Sequence, residues 1–183
     1  MNSTNAKTIL QTERLILRPL TESDDAEIFN YSKNPNVGPN AGWKPHDDIE
    51  ETREIMKTVF LDKEGVFGIV LRETGKLFGS IGLVSDAKRE NDKARMLGYA
   101  IGEDYWGHGY ITEAARAVIE YGFNELKLDL ISAYCFPFNV RSKRVLEKLG
   151  FKYEGRLAQS DVRFDGVILD NECFALLAKD YKK

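Results

Sequence analysis

Residues 95–126 read RMLGYAIGEDYWGHGYITEAARAVIEYGFNEL, and they join a β-rich segment to a long amphipathic segment through a glycine-containing turn. The apolar residues of the second segment recur at helical spacing, namely Ile111, Ala114, Ala115, Val118, Ile119, Phe123 and Leu126. This spacing predicts one long helix with an apolar face. Gly107 and Gly109 precede it, and glycine lets the backbone turn sharply and approach a ligand closely. The stretch therefore predicts a strand, a tight turn and a helix in direct succession.

The flanking sequence predicts a mixed sheet with a few helices. Besides the strand Arg95–Ile101, β-rich runs predict strands at Leu15–Leu17 within Thr12–Leu20, and at Val66–Arg72, Leu77–Val84, Leu130–Phe136, Phe151–Arg163 and Val167–Ala178. One further helix is predicted from Thr21 to Lys33, another begins after Asp47 and Asp48 and runs to about Asp62, and a third is predicted at Asn139–Leu149. Asn34–Pro45 is predicted as a loop. Because a helix joins the strands Arg95–Ile101 and Leu130–Phe136, this central pair is expected to be parallel. The predicted class is α+β, with about seven mostly antiparallel strands and about four helices.

Composition limits the kinds of partner that the chain could have. Of its 183 residues 43% are hydrophobic and 30% are charged, which is typical of one globular domain over residues 1–183. The net charge of −3 provides no overall basic field for nucleic acid or a membrane surface. Residues 1–10 lack the apolar core of a signal peptide and no run approaches the ~18 apolar residues of a membrane span, so we expect a cytoplasmic protein. Cys135 and Cys173 are predicted as separate buried thiols, and no metal site is predicted.

The turn before the long helix has the features of an anion site. The backbone N–H groups at a helix N-terminus are unpaired, and the helix dipole favours negative charge there. Residues 107–112 could therefore hold a diphosphate. The alternative is an ordinary tight turn, in which Glu113 only complements the helix dipole. A P-loop is excluded, because no Gly-Lys-Ser/Thr follows.

A second helix start carries an unusual charge pattern. Asn139 can cap the helix, yet the cations Arg141, Lys143 and Arg144 occupy its first turns. Each opposes the dipole preference for acidic residues by about 0.3–1 kcal/mol, so either an anion lies nearby or these residues form a solvated basic face. Two such helix starts, each following one of a pair of parallel strands, suit a long ligand with several phosphates.

Three motifs together resemble the GNAT (Gcn5-related) N-acetyltransferases, most closely the RimJ/RimL-like branch that acetylates ribosomal-protein N-termini. They are Gly98-Tyr99-Ala100-Ile101-Gly102, the run Tyr105-Trp-Gly-His-Gly-Tyr-Ile-Thr-Glu-Ala114, and Asn139-x-x-Ser142-x-Arg144 followed by Val-Leu-Glu-Lys-Leu-Gly-Phe. The resemblance implies a GNAT-like sheet in which the central parallel pair is splayed. It also implies an acetyl-CoA-dependent acyltransferase that works by direct transfer in a ternary complex.

The resemblance assigns roles to particular positions. The cofactor-binding set for acetyl-CoA comprises Tyr99, Ala100 and Ile101, which would bind pantetheine and the thioester carbonyl through the strand edge; Gly107, His108, Gly109, Tyr110, Ile111 and Thr112, which would hold the pyrophosphate; and Asn139 and Arg144. Ser142 would be the catalytic residue that protonates the leaving thiolate. The alternative is that Ser142 only helps to cap its own helix.

The sequence departs from the family pattern at two places. Ile111 replaces the third Gly or Ala of the phosphate loop, and Arg95-Met96 stands where many relatives have a glutamate that serves as general base. At pH 7 an α-amine of pKa ~7.8 is ~14% neutral, whereas a lysine amine of pKa ~10.4 is ~0.04% neutral. A site without a strong base therefore favours the α-amine of a peptide or protein N-terminus. His46 and Glu113 are possible bases. The alternatives are that His46 is only a loop residue and that Glu113 only complements the helix dipole.

The acceptor is expected to meet the loop over residues 34–48. Trp43 and His46 are the candidate acceptor-binding residues, although Trp43 could equally clamp the loop to the core. Acidic residues cluster just beyond and could attract a basic acceptor or form a solvated helix face, namely Asp47, Asp48, Glu50, Glu51 and Glu54. Two alternatives stay open, a small amine acceptor such as an aminoglycoside or polyamine, and a non-catalytic module that only binds acetyl-CoA. A homodimer is possible.

Overall fold

The computed structural model describes residues 8–181, and its eight strands form one sheet in the order β1-β2-β3-β4-β5-β6-β8-β7. The strands are β1 (Leu10–Gln11), β2 (Leu15–Arg18), β3 (Val66–Leu71), β4 (Leu77–Val84), β5 (Ala94–Ile101), β6 (Leu130–Cys135), β7 (Lys152–Val162) and β8 (Ile168–Leu177). The helices are α1 (Asp25–Ser32), α2 (Gly38–Ala41), α3 (Ile49–Val59), α4 (Tyr110–Asn124) and α5 (Val140–Lys148). Residues 1–7 and 182–183, the two ends of the expected domain and most of the segment inspected for a signal peptide, lie outside the described residues.

The predicted class of the sheet is confirmed, because every neighbouring pair of strands is antiparallel except β5 and β6. The first predicted strand, Leu15 to Leu17 within Thr12–Leu20, is present as β2. β1 precedes it, and the Thr12 hydroxyl, which accepts a hydrogen bond from Leu15 N at 3.0 Å, turns the chain between them. One local prediction was wrong. The predicted loop 34–45 contains α2, which Pro39 favours in its first turn and which Gly42 ends with a φ of +91°.

The parallel pair at the centre of the sheet separates early. β5 and β6 are paired only at Ala94–Leu130, Arg95–Ile131 and Met96–Ser132, whereas the β4–β5 and β6–β8 ladders continue along both strands. Beyond Met96 the two strands diverge, as the family resemblance implied. The carboxyl ends of a parallel pair are where α/β sheets commonly bind ligands, so this gap is the place to look for a site.

The core lies on both faces of the sheet. On one face, α4 buries the predicted stripe, with Ala114, Val118 and Ile119 fully buried. On the other face, α1 and α3 cover a smaller cluster that includes Ile28 and Met56. Both cysteines are buried and free, as expected. Within residues 8–181, no helix is both long and apolar enough to cross a bilayer.

Candidate active site

A cavity of about 980 Å³ occupies the gap between the diverging strands β5 and β6. It continues from the start of α4, past the start of α5, to the segment between α1 and α3. Every site residue expected from the sequence lines this cavity except His108. The fold therefore brings the three motifs, which are far apart in sequence, to one cleft.

The glycine turn before α4 presents free backbone donors to the cavity. Gly107 and Gly109 have φ values of +80° and +79°, which favour glycine, and a Cβ at Gly107 would meet no atom within 4 Å. No N–H group of residues 107–112 donates to an acceptor within residues 8–181. The turn thus offers unoccupied amides at the positive end of a helix of 15 residues, which fits a diphosphate.

Glu113 holds this turn from outside the cavity. Its carboxylate accepts hydrogen bonds from Thr12 Oγ1 at 2.6 Å, Arg14 N at 2.8 Å and Arg14 Nε at 2.7 Å. Burial by itself would raise the pKa of Glu113, but these donors together hold it below its usual value. Arg14 also donates to the carbonyl of His108 at 3.0 Å. Glu113 is therefore an anchor for the turn, and its engaged oxygens make it a poor general base.

The edge of β5 that faces β6 is open beyond Met96, because the ladder between these strands stops there. Tyr99 and Ala100 lie on this open stretch. Ile101 lies at its end, where its carbonyl already accepts a hydrogen bond from Trp106 Nε1 at 3.1 Å. Unpaired strand groups can hold an extended ligand by β-type hydrogen bonds. The part of the edge that is free for a pantetheine arm is thus centred on Tyr99 and Ala100.

The start of α5 places Ser142 at the cavity beside Tyr99. Asn139 Oδ1 accepts from Ser142 N at 3.1 Å, so the expected helix cap is present. The Ser142 hydroxyl lies 2.8 Å from the Tyr99 hydroxyl, a hydrogen bond between two residues of separate elements. Burial raises the pKa of Tyr99 well above its usual value, which keeps this phenol protonated. Sequence reasoning had used only the Tyr99 backbone and missed this pairing.

Three cations of α5 line the cavity, namely Arg141, Arg144 and Lys148. Arg141 also stacks over the Trp106 ring, next to the glycine turn, with the guanidinium carbon 4.1 Å from the ring centroid. This helix therefore supplies positive charge to the cavity that the free amides of the α4 turn also face.

The segment from Val37 to His46 covers the cleft on the side opposite the turn. Asn139 Nδ2 donates to the carbonyl of Asn40 at 3.0 Å. A Cβ on Gly42 would come within 3.3 Å of the Phe136 ring, so the segment lies close against the end of β6. We refer to residues 37–46 as the roof. Trp43 packs into the smaller core cluster, as the clamping alternative expects, and it also lines the cavity.

His46 ends the roof in a buried position, with 8% of its surface exposed. Its backbone N–H donates to the carbonyl of Ser32 at 3.1 Å, and its Nδ1 lies 2.8 Å from Thr52 Oγ1. Its ring centroid is 5.4 Å from that of Trp43. Desolvation lowers the pKa of His46 below 6.5, so the imidazole is neutral at pH 7.

A buried carboxylate that sequence reasoning did not single out lies at the far end of the cavity. Asp86 follows β4 and accepts hydrogen bonds from Tyr134 Oη and Lys88 N, both at 2.8 Å, and from Ser132 Oγ. Arg89 Nε lies 3.4 Å from it. Burial alone would raise the pKa of Asp86, but these donors hold it below its usual value. Its place in a charged turn gave no signal, since only the fold sets it next to Ser132.

The carboxylate stands close to the position where relatives have a glutamate. Met96 pairs with Val84 on one side and with Ser132 on the other, and Asp86 lies two residues after Val84. Met96 itself carries no carboxylate, but Asp86, at the end of the neighbouring strand β4, places one close to it.

Most of the acidic cluster is an outer helix surface. Asp48 caps α3 by accepting from Glu51 N at 2.8 Å, and Glu54 pairs with Lys57 at 2.6 Å. Glu51 alone of the cluster also lines the main cavity. Within residues 8–181, no three His, Cys, Asp or Glu side chains are close enough together to hold a metal ion.

Comparisons with known proteins agree with this geometry. The acetyltransferase (GNAT) domain family matches residues 14–152. The uncharacterised N-acetyltransferase p20 of Bacillus licheniformis is 33% identical over 177 residues, which cover 94% of this chain and 97% of that protein. A GNAT-family acetyltransferase from Bacillus anthracis has a structure that is similar with a TM-score of 0.82 and 26% identity, covering 94% of this chain and 99% of that one.

Two further structures of similar fold carry different substrates in their names. The ribosomal-protein-S5-alanine acetyltransferase of Vibrio fischeri matches with a TM-score of 0.74 and 24% identity, over 96% of this chain and 100% of that one. A variant of the spermidine N-acetyltransferase SpeG of Vibrio cholerae matches with a TM-score of 0.73 and 21% identity, over 93% and 97%. At these identities the likeness concerns the fold. The family match, the full-length relatives and the shared sheet together establish that this chain belongs to the GNAT family of acetyltransferases, which use acetyl-CoA as co-substrate.

Proposed function

We propose that this acetyltransferase transfers the acetyl group of acetyl-CoA directly to the α-amine of a peptide or protein N-terminus, as in the RimJ/RimL-like branch. The observation that carries the choice of amine is the state of the cavity carboxylates. Glu51 accepts from Asp47 N at 2.6 Å, Asp161 accepts from Asn171 Nδ2 at 2.6 Å, and Asp86 has the donors described above. Within residues 8–181, no carboxylate that lines the cavity is free of protein donors.

Each of these carboxylates already accepts a hydrogen bond from the protein, and this limits the amines that can react. Removing a proton from a lysine amine at pH 7 costs ~3.5 kcal/mol more than from an α-amine, given their ordinary pKa values of ~10.4 and ~7.8. A cavity without a free carboxylate offers little to offset that difference. The α-amine, which is already partly neutral, is the acceptor that this site can use.

The residues of the cleft fit acetyl-CoA, which supplies the acyl group as a thioester. The amides of residues 107–112 are free to hold the diphosphate, and Arg144 provides a cation beside them. The open edge at Tyr99 and Ala100 can orient the arm and polarise the carbonyl, as an oxyanion donor does. These groups position the acyl carbon between the two halves of the cavity.

Ser142 is suited to give a proton to the leaving sulfur. It lies in the first turn of α5, where the helix dipole favours a developing negative charge. Tyr99 can donate to Ser142 Oγ across 2.8 Å, which leaves the serine proton free to point into the cavity. Glu172, which is paired with Cys135 across β6 and β8, is bonded by Arg156, and burial raises the pKa of Cys135 to about 11, so a covalent acyl-cysteine route is disfavoured.

A polyamine is the second candidate acceptor, and one observation favours it. The roof is tied to α5 by the Asn40–Asn139 hydrogen bond, so the acceptor side of the cleft is covered. Glu51, Asp86 and Asp161 also line the cavity, and carboxylates attract cationic amines. A small amine would enter such a space more easily than a folded N-terminus.

A thiol-release assay with acetyl-CoA decides between these acceptors. We would compare a lysine-free peptide with a free α-amine, the same peptide with its α-amine blocked and one lysine added, spermidine and an aminoglycoside. The expected result is the highest kcat/KM for the free α-amine peptide. Faster turnover of spermidine would replace the proposal with the second candidate. Calorimetric binding of acetyl-CoA without thiol release from any acceptor would indicate a binding module.

A further inference from the structure

We propose that His46 is the general base of this acetyltransferase and that its Nε2 takes the proton from the attacking amine. This inference rests on the proposed function, because it assigns a residue to the amine acetylation described above. The glutamate that serves this purpose in many relatives is absent at Met96. Each carboxylate of the cavity is already engaged, whereas His46 offers an unoccupied nitrogen.

His46 is linked through α1 to the strands β4 and β5. Its backbone N–H donates to Ser32 O at 3.1 Å, and the residue before Ser32, Tyr31, donates through its hydroxyl to Ser80 Oγ, also at 3.1 Å. Ser80 is paired directly with Ala100 across β4 and β5. His46 and Ser142 line the same cavity, so a base and an acid face one space.

Thr52 holds one side of the His46 ring. Its hydroxyl lies 3.1 Å from the carbonyl of Asp48 and 2.8 Å from His46 Nδ1. When the hydroxyl hydrogen is directed to Asp48, Oγ1 accepts from Nδ1–H, and the lone pair of the ring is then on Nε2, the position that a general base needs.

Nε2 has no hydrogen-bond partner among the described residues. It is also exposed to some extent, because within residues 8–181 Arg89 Nε is the only buried side-chain nitrogen or oxygen without a hydrogen-bond partner. Nε2 is therefore open to the cavity that His46 lines.

Burial and the neighbouring charges keep the His46 ring neutral and make it a weak base. Burial is the strongest influence and lowers its pKa, Lys44 lowers it further, and Glu51 raises it. From α1 the titratable group nearby is Tyr31, whose pKa is raised to about 12 by burial, so it stays neutral. A base of this strength removes a proton from an α-amine as it attacks, and it is poorly matched to a lysine amine.

The transfer step balances with the residues named. The neutral amine nitrogen bonds to the acetyl carbonyl carbon and gives one proton to His46 Nε2. The carbon–sulfur bond breaks, its electron pair leaves on sulfur, and the sulfur takes the proton of Ser142 Oγ. The imidazolium then releases its proton to water, and Ser142 regains one from water. The products are the N-acetylated amine and the free thiol.

The test compares His46→Asn with the unmodified protein. Asparagine keeps a donor near the position of Nδ1 and so preserves the bond to Thr52, but it has no basic nitrogen. With the α-amine peptide we expect kcat/KM to fall about 10²-fold, while acetyl-CoA affinity measured by calorimetry stays within twofold. As a matched control, Asn30→Ala on the outer side of α1 should leave both values unchanged.

Two readouts separate a base from a structural residue. With an acceptor whose amine titrates well below the histidine range, the unmodified protein should lose kcat/KM on the acid side below pH 6.5, and His46→Asn should lack this limb. Added imidazole should restore part of the activity of His46→Ala. Unchanged kcat/KM in His46→Asn, a retained acid limb, or no rescue of His46→Ala by imidazole would overturn the assignment.

The two proposals fail in different ways. If the unmodified protein releases thiol with an amine but His46→Asn does so equally well, only the base is wrong. If the unmodified protein releases no thiol with any acceptor, the proposed function fails, and the base fails with it.

Discussion

The two ends of the cavity differ in what they offer a ligand. The start of α4 offers backbone N–H groups whose positions are set by Gly107 and Gly109. The opposite end offers side chains from separate elements, among them Trp43 and His46 of the roof and Asp86 after β4. A backbone site tolerates most side chains and so suits a ligand that the whole family shares. A site built from side chains can change with each acceptor.

Besides His46→Asn, the largest effect is expected for Ser142, which lies between the two ends of the cavity. Ser142→Ala removes the proton donor to the leaving sulfur but leaves the α4 turn intact. We expect kcat to fall at least tenfold with acetyl-CoA affinity within twofold, measured by thiol release and calorimetry. Ser23→Ala, on the exposed chain before α1, is the matched control. A fully active Ser142→Ala protein would remove this residue from the mechanism.

Gly109→Ala tests whether the turn binds through its backbone conformation. An alanine at a φ of +79° is strained by about 1–2 kcal/mol, so the turn should shift and weaken acetyl-CoA binding about tenfold. Gly75→Ala is a matched control, because its φ is +69° and it has no neighbour within 4 Å, but it lies in the β3–β4 turn. Both variants should lose stability, and only Gly109→Ala should lose affinity. Equal affinity in the two variants would contradict a backbone-dependent site.

Tyr99→Phe tests whether side chains matter within the backbone-dominated half. The change removes one hydroxyl and so deprives Ser142 of its partner at 2.8 Å. A hydrogen bond contributes about 1 kcal/mol, so kcat should fall about fivefold. Combined with Ser142→Ala, the same change should add nothing further, because the proton donor is already gone. An additive loss of kcat in the double variant would show that Tyr99 acts independently of Ser142.

The smallest effect is expected for Asp86→Asn, which acts on stability. Because the pKa of Asp86 is lowered in the folded protein, its contribution is present above the ordinary value of 3.8 and is lost as the pH falls through the lowered pKa. The asparagine variant should unfold at a Tm a few degrees lower at pH 7, by about 2–4 °C per kcal/mol lost. Its Tm should also depend less on pH between 3 and 5 than that of the unmodified protein. A Tm difference that stayed constant across that interval would contradict the assigned charge.

The same contrast explains what the sequence could predict. The α4 turn, the parallel pair and the Asn139 cap depend on local patterns of glycine, apolar spacing and capping, which are visible in one segment. The roof helix α2 was missed because four residues rich in turn formers carry no helical period. The Tyr99–Ser142 and Asp86–Ser132 contacts join residues 43 and 46 positions apart, so only the tertiary fold reveals them.

The apolar residues Ile55, Met56, Val59 and Phe60, which recur at helical spacing along and just after α3, show a further limit. Met56 is buried, as a helix period predicts, but Val59 is 47% exposed and lines the cavity together with Ile55 and Phe60. Periodicity marks a side of a helix as apolar, and it does not distinguish a packed core from the wall of a cavity.

One side chain described above constrains how such enzymes can change specificity. Asn139 uses its oxygen to order the helix that carries Ser142, and it uses its nitrogen to hold Asn40 of the roof. A replacement roof grafted from another acetyltransferase must therefore present a carbonyl at the same point, whatever its side chains are. The side chains of the roof can therefore change during evolution, provided that the hydrogen bond from Asn139 to the backbone at position 40 is kept.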